Sequence, residues 1–96
     1  MIDINEALTV YLGTDESGGY MPMGQEERLR KHYGEKWKQA MAAIDSYLEF
    51  DFSPDWSKHD LNSAAISFSV EVLKDHPELK EYVARALGNR FTYDFR

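Results

Sequence analysis

The sequence predicts a mostly all-α fold: one small domain over residues 1–96, a bundle of four to five helices around a central helix at about 60–74, with a short extended or β segment at about 90–96. Three observations carry this reading. Residues 61–73, LNSAAISFSVEVL, form an apolar run in which Glu71 is the sole ionisable side chain. Apolar residues elsewhere recur at steps of three and four, the period of an amphipathic helix. Hydrophobic residues at 43% and aromatics at 14% are enough for a packed core, well away from disordered compositions.

The first element follows from its caps. Asp3 with Glu6 three residues on matches an N-terminal capping pattern, and Ile4, Ala7, Leu8, Tyr11 and Leu12 repeat at helical spacing up to Gly13. Residues 13–24, GTDESGGYMPMG, have four glycines, one proline and no period, which makes them a loop. This loop lacks the lysine and spacing of a phosphate-binding loop, and Asp15 and Glu16 repel a phosphate.

From residue 25 to about 49, Leu29, Tyr33, Trp37, Ala40, Met41, Ile44, Tyr47 and Leu48 keep one helical stripe. A straight helix of that length would run about 37 Å, longer than the roughly 32 Å diameter of a compact domain of this size. A bend or break is therefore expected near Gly34, a poor residue in a helix interior. Arg28, Arg30, Lys31, Lys36 and Lys38 lie along this stretch, interleaved with Glu26, Glu27 and Glu35. Pairing with acids at i,i+4 or across the domain is the expected role of this cluster.

Within 61–73 two periods compete. Ala64, Ile66, Phe68, Val70 and Val72 alternate as in a strand, while Leu61, Ala64, Ala65, Phe68 and Val72 share one helical face. Thirteen residues without Gly or Pro exceed a typical strand, and Ser57 or Asp60 supplies an N-cap, so helix is predicted. Ile66, Val70 and Leu73 then form a second apolar flank, which implies a helix wrapped on most sides. Asp75, Pro77 and Glu78 are expected to open the last helix, with Leu79, Tyr82, Val83, Ala86 and Leu87 as its stripe and a left-handed Gly88 ending it. Beyond it, Phe91, Tyr93 and Phe95 alternate with Thr92, Asp94 and Arg96, the pattern of a strand whose partner would be residues 47–52 or the same segment in another copy of the chain, or else of an extended tail with its rings in a groove.

Composition narrows function more than it names it. With no cysteine, disulfides, thiolate metal sites and Cys nucleophiles are excluded. The N-terminus carries acids where a secretory signal carries basic residues, and no apolar run approaches the length of a membrane span, so a complete cytoplasmic protein is expected. A formal charge of −6 disfavours nucleic acid and anionic membranes and favours a basic protein partner. His32, His59 and His76 stand apart from any candidate nucleophile, no nucleotide or metal motif is matched, and neither cofactor nor enzymatic activity is expected.

The most distinctive surface candidate is residues 45–56, DSYLEFDFSPDW, where acids mix with aromatics. Asp45, Glu49, Asp51, Phe52, Asp55 and Trp56 are the expected partner-binding residues: acids steer a basic partner, and an aromatic ring anchors it. The function this suggests is a non-enzymatic interaction domain of inhibitor, immunity or antitoxin type. The alternative is a regulatory sensor with a small-molecule pocket between helices, lined by Trp37, Met41 and Phe68.

Overall fold

A computed structural model describes residues 2–50 and 52–93. Among the described residues all regular structure is helical: α1 (Ile4–Leu12), α2 (Gln25–Tyr33), α3 (Trp37–Leu48), α4 (Leu61–Asp75) and α5 (Glu81–Tyr93), with one 3₁₀ turn at Gly34–Lys36. The all-α bundle predicted from the sequence is thus the observed architecture, and no helix is long and apolar enough to cross a membrane among these residues.

Local signals explain most boundaries. The Asp3 carboxylate accepts the Glu6 N–H, and Gly13 ends α1 at φ 62°, ψ 36°. At φ 58° Gly34 cannot continue a right-handed helix, so the stripe from 25 to 48 splits into α2, the 3₁₀ turn and α3, as the length argument required. For α4, Asp60 is the N-cap and its carboxylate accepts the Ser63 N–H at 2.8 Å, while Ser63 Oγ accepts the Asp60 N–H at 3.1 Å.

The basic stretch is largely structural. Arg30 and Lys31 pair with Glu26 and Glu27 one turn back at 3.9 and 3.6 Å, and the Arg30 guanidinium lies 4.3 Å from the centre of the Trp37 ring. Arg28 does more: its guanidinium donates to the carbonyls of Val10 (2.9 Å), Tyr11 (2.7 Å), Met21 (2.9 Å) and Met23. One side chain therefore donates to carbonyls at the end of α1 and ties the glycine-rich loop to it.

The buried middle is built by α1 and α5 more than by α4. Helix α1 packs on α2, α3 and α5, and its Ala7, Leu8 and Leu12 are fully buried with Leu29, Ala40 and Ile44. Helix α4 rests chiefly on α5, through Ala64, Ala65, Phe68 and Val72. The expected central helix at 60–74 is thus a helix, but it lies to one side. Its second flank is not wrapped, since Ile66 is 55% and Val70 48% exposed.

Three expectations about the C-terminal part fail for packing reasons. Helix α5 begins at Glu81, because Asp75 still belongs to α4 and the turn between them is fixed from α1: Asn5 Oδ1 accepts the Lys80 N–H at 2.7 Å and Asn5 Nδ2 donates to the Glu78 carbonyl at 3.0 Å. Gly88 does not end α5. It is buried inside the helix, and a Cβ there would sit 2.3 Å from the Ala65 carbonyl oxygen, so glycine is needed for the close approach of α4 and α5. Residues 90–93, expected to be extended, are helical. Phe91, one turn after Leu87, stacks on Phe68 with ring centres 5.1 Å apart, and the buried Thr92 hydroxyl donates to the Gly88 carbonyl at 3.3 Å. Packing at the helical period overrides the alternating pattern, and residues 94–96 lie outside the described residues.

Candidate functional site

The acidic and aromatic segment divides into a helix end, a core-facing stretch and an outward turn. Asp45 and Glu49 are one helical turn apart at the end of α3, and both are exposed without a salt bridge among the described residues. Arg90 fixes this end from α5 by donating to the Leu48 carbonyl at 3.1 Å. Beside it, the Tyr47 hydroxyl donates to Glu78 Oε2 at 2.7 Å and its ring lies 4.7 Å from that of His76. That hydrogen bond, with a smaller contribution from burial and the Glu78 charge, pushes the Tyr47 phenol up to about 12; the same bond is the chief cause that lowers the Glu78 carboxyl below its ordinary range.

Next in the chain, the rings turn inward. Phe50 meets Phe68 edge-on at 5.3 Å, and Phe52 meets Phe68 at 5.5 Å and Phe91 at 5.4 Å. Phe52 is therefore placed over the core and half-buried, held by rings of α4 and α5. The same rings close over Phe68, which is 4% exposed, so it packs among aromatics where the sensor reading expected a cavity wall. The surface groove between α4 and α5, about 650 Å³, is lined by neither Trp37, Met41 nor Phe68.

Residues 55–58 form a turn closed by the Lys58 N–H on the Asp55 carbonyl at 2.9 Å. Within it the Asp55 carboxylate accepts the Ser57 N–H at 3.0 Å and the Ser57 hydroxyl at 2.6 Å, an Asx turn of the kind short acids favour. These bonds fix the orientation of the Asp55 carboxylate and hold its carboxyl below the usual carboxylate range. Trp56, next to it, is 42% exposed. Asp51 lies outside the described residues.

Of the six expected residues, Asp45, Glu49, Asp55 and Trp56 are thus outward-facing and Phe52 is not. No hydrogen bond or ion pair among the described residues joins the α3 acids to the 55–58 turn. Among those residues, no group of three His, Asp or Glu side chains is arranged to hold a metal. The exposure of Ile66 and Val70 departs from the expectation of a helix wrapped on most sides, because an uncharged run carries no sign of whether its second flank is covered. Comparison of the chain with protein-family models, with curated proteins and with solved structures returns no match.

Proposed function

We propose that this chain is a non-enzymatic acidic interaction domain that docks on a basic protein partner, as inhibitor, immunity and antitoxin proteins do. The docking surface is the end of α3 together with the turn at 55–58. One observation carries the reading: a large aromatic ring, Trp56, is 42% exposed beside the Asp55 carboxylate, whose orientation its bonds to Ser57 fix. Solvent-facing tryptophans are costly to leave exposed and are enriched at the centres of interfaces. Asp45 and Glu49, exposed and without a salt bridge among the described residues, add charge that raises encounter rates with a positive surface. The chain's formal charge of −6 acts in the same direction.

The test begins with capture of partners by the immobilised chain, in parallel with a D45N/E49Q/D55N triple variant and with Trp56→Ala, followed by stopped-flow kinetics on the partner found. The triple variant is expected to slow association and flatten its dependence on salt, because exposed charges are screened within about 8–10 Å at ordinary ionic strength. Trp56→Ala is expected to speed dissociation about 30-fold, the equivalent of about 2 kcal/mol at a hot spot. A partner that associates equally fast at low and high salt, and that binds both variants like the parent chain, refutes the proposal.

A further inference from the structure

Helix α1 meets the end of α2 through two adjacent side chains, His32 and Tyr33, and a single carboxylate serves them. Glu6 Oε1 lies 2.6 Å from His32 Nε2, the short length of a charge-assisted bond. Tyr33 packs its ring edge-on against that of His32, with centres 4.7 Å apart. Its hydroxyl is buried and has no hydrogen-bond partner among the described residues.

A buried donor without an acceptor is costly, so the acceptors around it decide what it does. Tyr33 lines a cavity of about 320 Å³ with Ile2, Asp3, Glu6, Lys36 and Gln39, which places the carboxylates of Asp3 and Glu6 beside it. Burial raises the Tyr33 phenol above its ordinary value, and the charges of Glu6 and then Asp3 add to this, so the hydroxyl keeps its proton and remains a donor at neutral pH. Asp3 is committed to the Glu6 N–H as the cap of α1. The Glu6 side chain is held by His32 alone and is 52% exposed, so it can turn without disturbing the core.

We propose that Glu6 is a two-position latch set by His32: its carboxylate accepts from His32 while the imidazole is protonated and from the Tyr33 hydroxyl once the imidazole is neutral. A protonated His32 offers a full charge to a carboxylate that stays half in solvent. A neutral one offers a single exposed N–H, which is worth less than pairing a donor otherwise stranded in the interior. The other charged groups facing the pair are Asp3 from α1, Lys36 from the 3₁₀ turn, and Arg28 and Lys31 on α2 itself; from α3 the cavity receives the uncharged Gln39. Of these, Lys31 pairs with Glu27, and Arg28 is spent on backbone carbonyls. Histidine is the side chain that ordinarily changes charge between about pH 5 and pH 8, so within that window α1 exchanges one anchor on α2 for its neighbour. The latch is independent of the acidic docking surface and stands whether or not that surface binds a partner.

Nuclear magnetic resonance of the full chain, isotope-labelled at the tyrosine ζ carbon and the histidine ring and titrated from about pH 5 to about pH 8, tests this. The Tyr33 signal, assigned by its loss in Tyr33→Phe, is expected to move with the same midpoint as the His32 ring. In His32→Gln it is expected to hold its high-pH position throughout, and in Glu6→Gln to stop following His32, which a response to ring proximity alone would not do. Tyr33→Phe removes the competing donor, so by reciprocity His32 is expected to bind its proton at least about twofold more tightly. Each substitution is close to isosteric and leaves the packed rings in place. A Tyr33 signal that stays flat while His32 titrates overturns the proposal. So does one that titrates as before in His32→Gln or Glu6→Gln, or a His32 proton affinity that Tyr33→Phe leaves unchanged.

Discussion

Replacing Gly88 by alanine sets two known effects against each other. In a helix interior the change is ordinarily favourable by about 1 kcal/mol, since glycine loses more backbone freedom on folding. Here the added Cβ would stand 2.3 Å from the Ala65 oxygen and 3.1 Å from its carbonyl carbon, whereas real contacts of this kind begin above 3.0 Å. The atoms struck are backbone, so no side-chain rotation relieves them, and α4 must back away from α5 by about 1 Å. A gap of that size forfeits a quarter to a half of the dispersion well for each atom pair it opens. It opens along the face where Phe68 and Val72 meet the α5 core. Overpacking of this type costs about 1–3 kcal/mol, and taking the upper end for a rigid neighbour leaves a net loss of about 2 kcal/mol. For a domain of this size that lowers the melting temperature by roughly 8–15 °C, readable by circular dichroism at 222 nm. Ala65→Gly is expected not to rescue the variant, because the clash is with a carbonyl and not with the Ala65 side chain. A Gly88→Ala protein that melts at or above the parent temperature would falsify the packing argument.

The other predictions are of the same kind. Arg28→Lys keeps the charge but cannot donate to four carbonyls around one plane; a loss of about 2–3 kcal/mol in urea denaturation is expected, with faster proteolysis in the glycine-rich loop, and an unchanged midpoint refutes it. Phe68→Ala removes the ring on which Phe50, Phe52 and Phe91 converge and should cost about 3–5 kcal/mol by the same measurement. An ultraviolet pH titration should find one phenol ionising near pH 12 that disappears in Tyr47→Phe. Since folding raises this group, its contribution to stability is complete below about pH 10 and is lost as pH rises towards 12. Equal high-pH stability profiles for Tyr47→Phe and the parent chain would count against that bond.

Where a boundary is set by residues near in sequence, it could be read directly. Asp3 and Gly13 bracket α1, Gly34 breaks the long stripe, and Asp60 caps α4, because capping and positive φ are local chemistry. Placement of α4 was not legible. An uncharged helix face looks alike whether it is covered by its own chain or left open, and the sequence of 61–73 does not say which. Gly88 was misread for a related reason: glycine after an apolar stripe usually ends a helix, and the approach of Ala65 that makes it necessary within one is a distance between helices. The start of α5 depended on Asn5, more than seventy residues away, which no local pattern announces. In the candidate site, the mix of acids and rings marked out the segment but not which of its rings face outward. Phe52 and Trp56 look equivalent in composition, and the nearby rings of Phe68 and Phe91 draw in the first of them.

The Asn5 contact also bears on how the chain acquires its shape during synthesis. The two backbone groups that Asn5 holds belong to Glu78 and Lys80, so α1 is secured by a turn made more than seventy residues later. At about 5–20 residues per second, translation separates the two by roughly 4–15 s. Through that interval the face of α1 on which Thr9 meets Tyr82 has no α5 to pack against. The pairing of α4 with α5 is local, by contrast, and can form within a millisecond or less of its residues becoming available. Completion of the nascent domain is therefore timed by its C-terminal helical pair, and a ribosome stalled before residue 80 would hold a chain whose N-terminal helices remain open to chaperones.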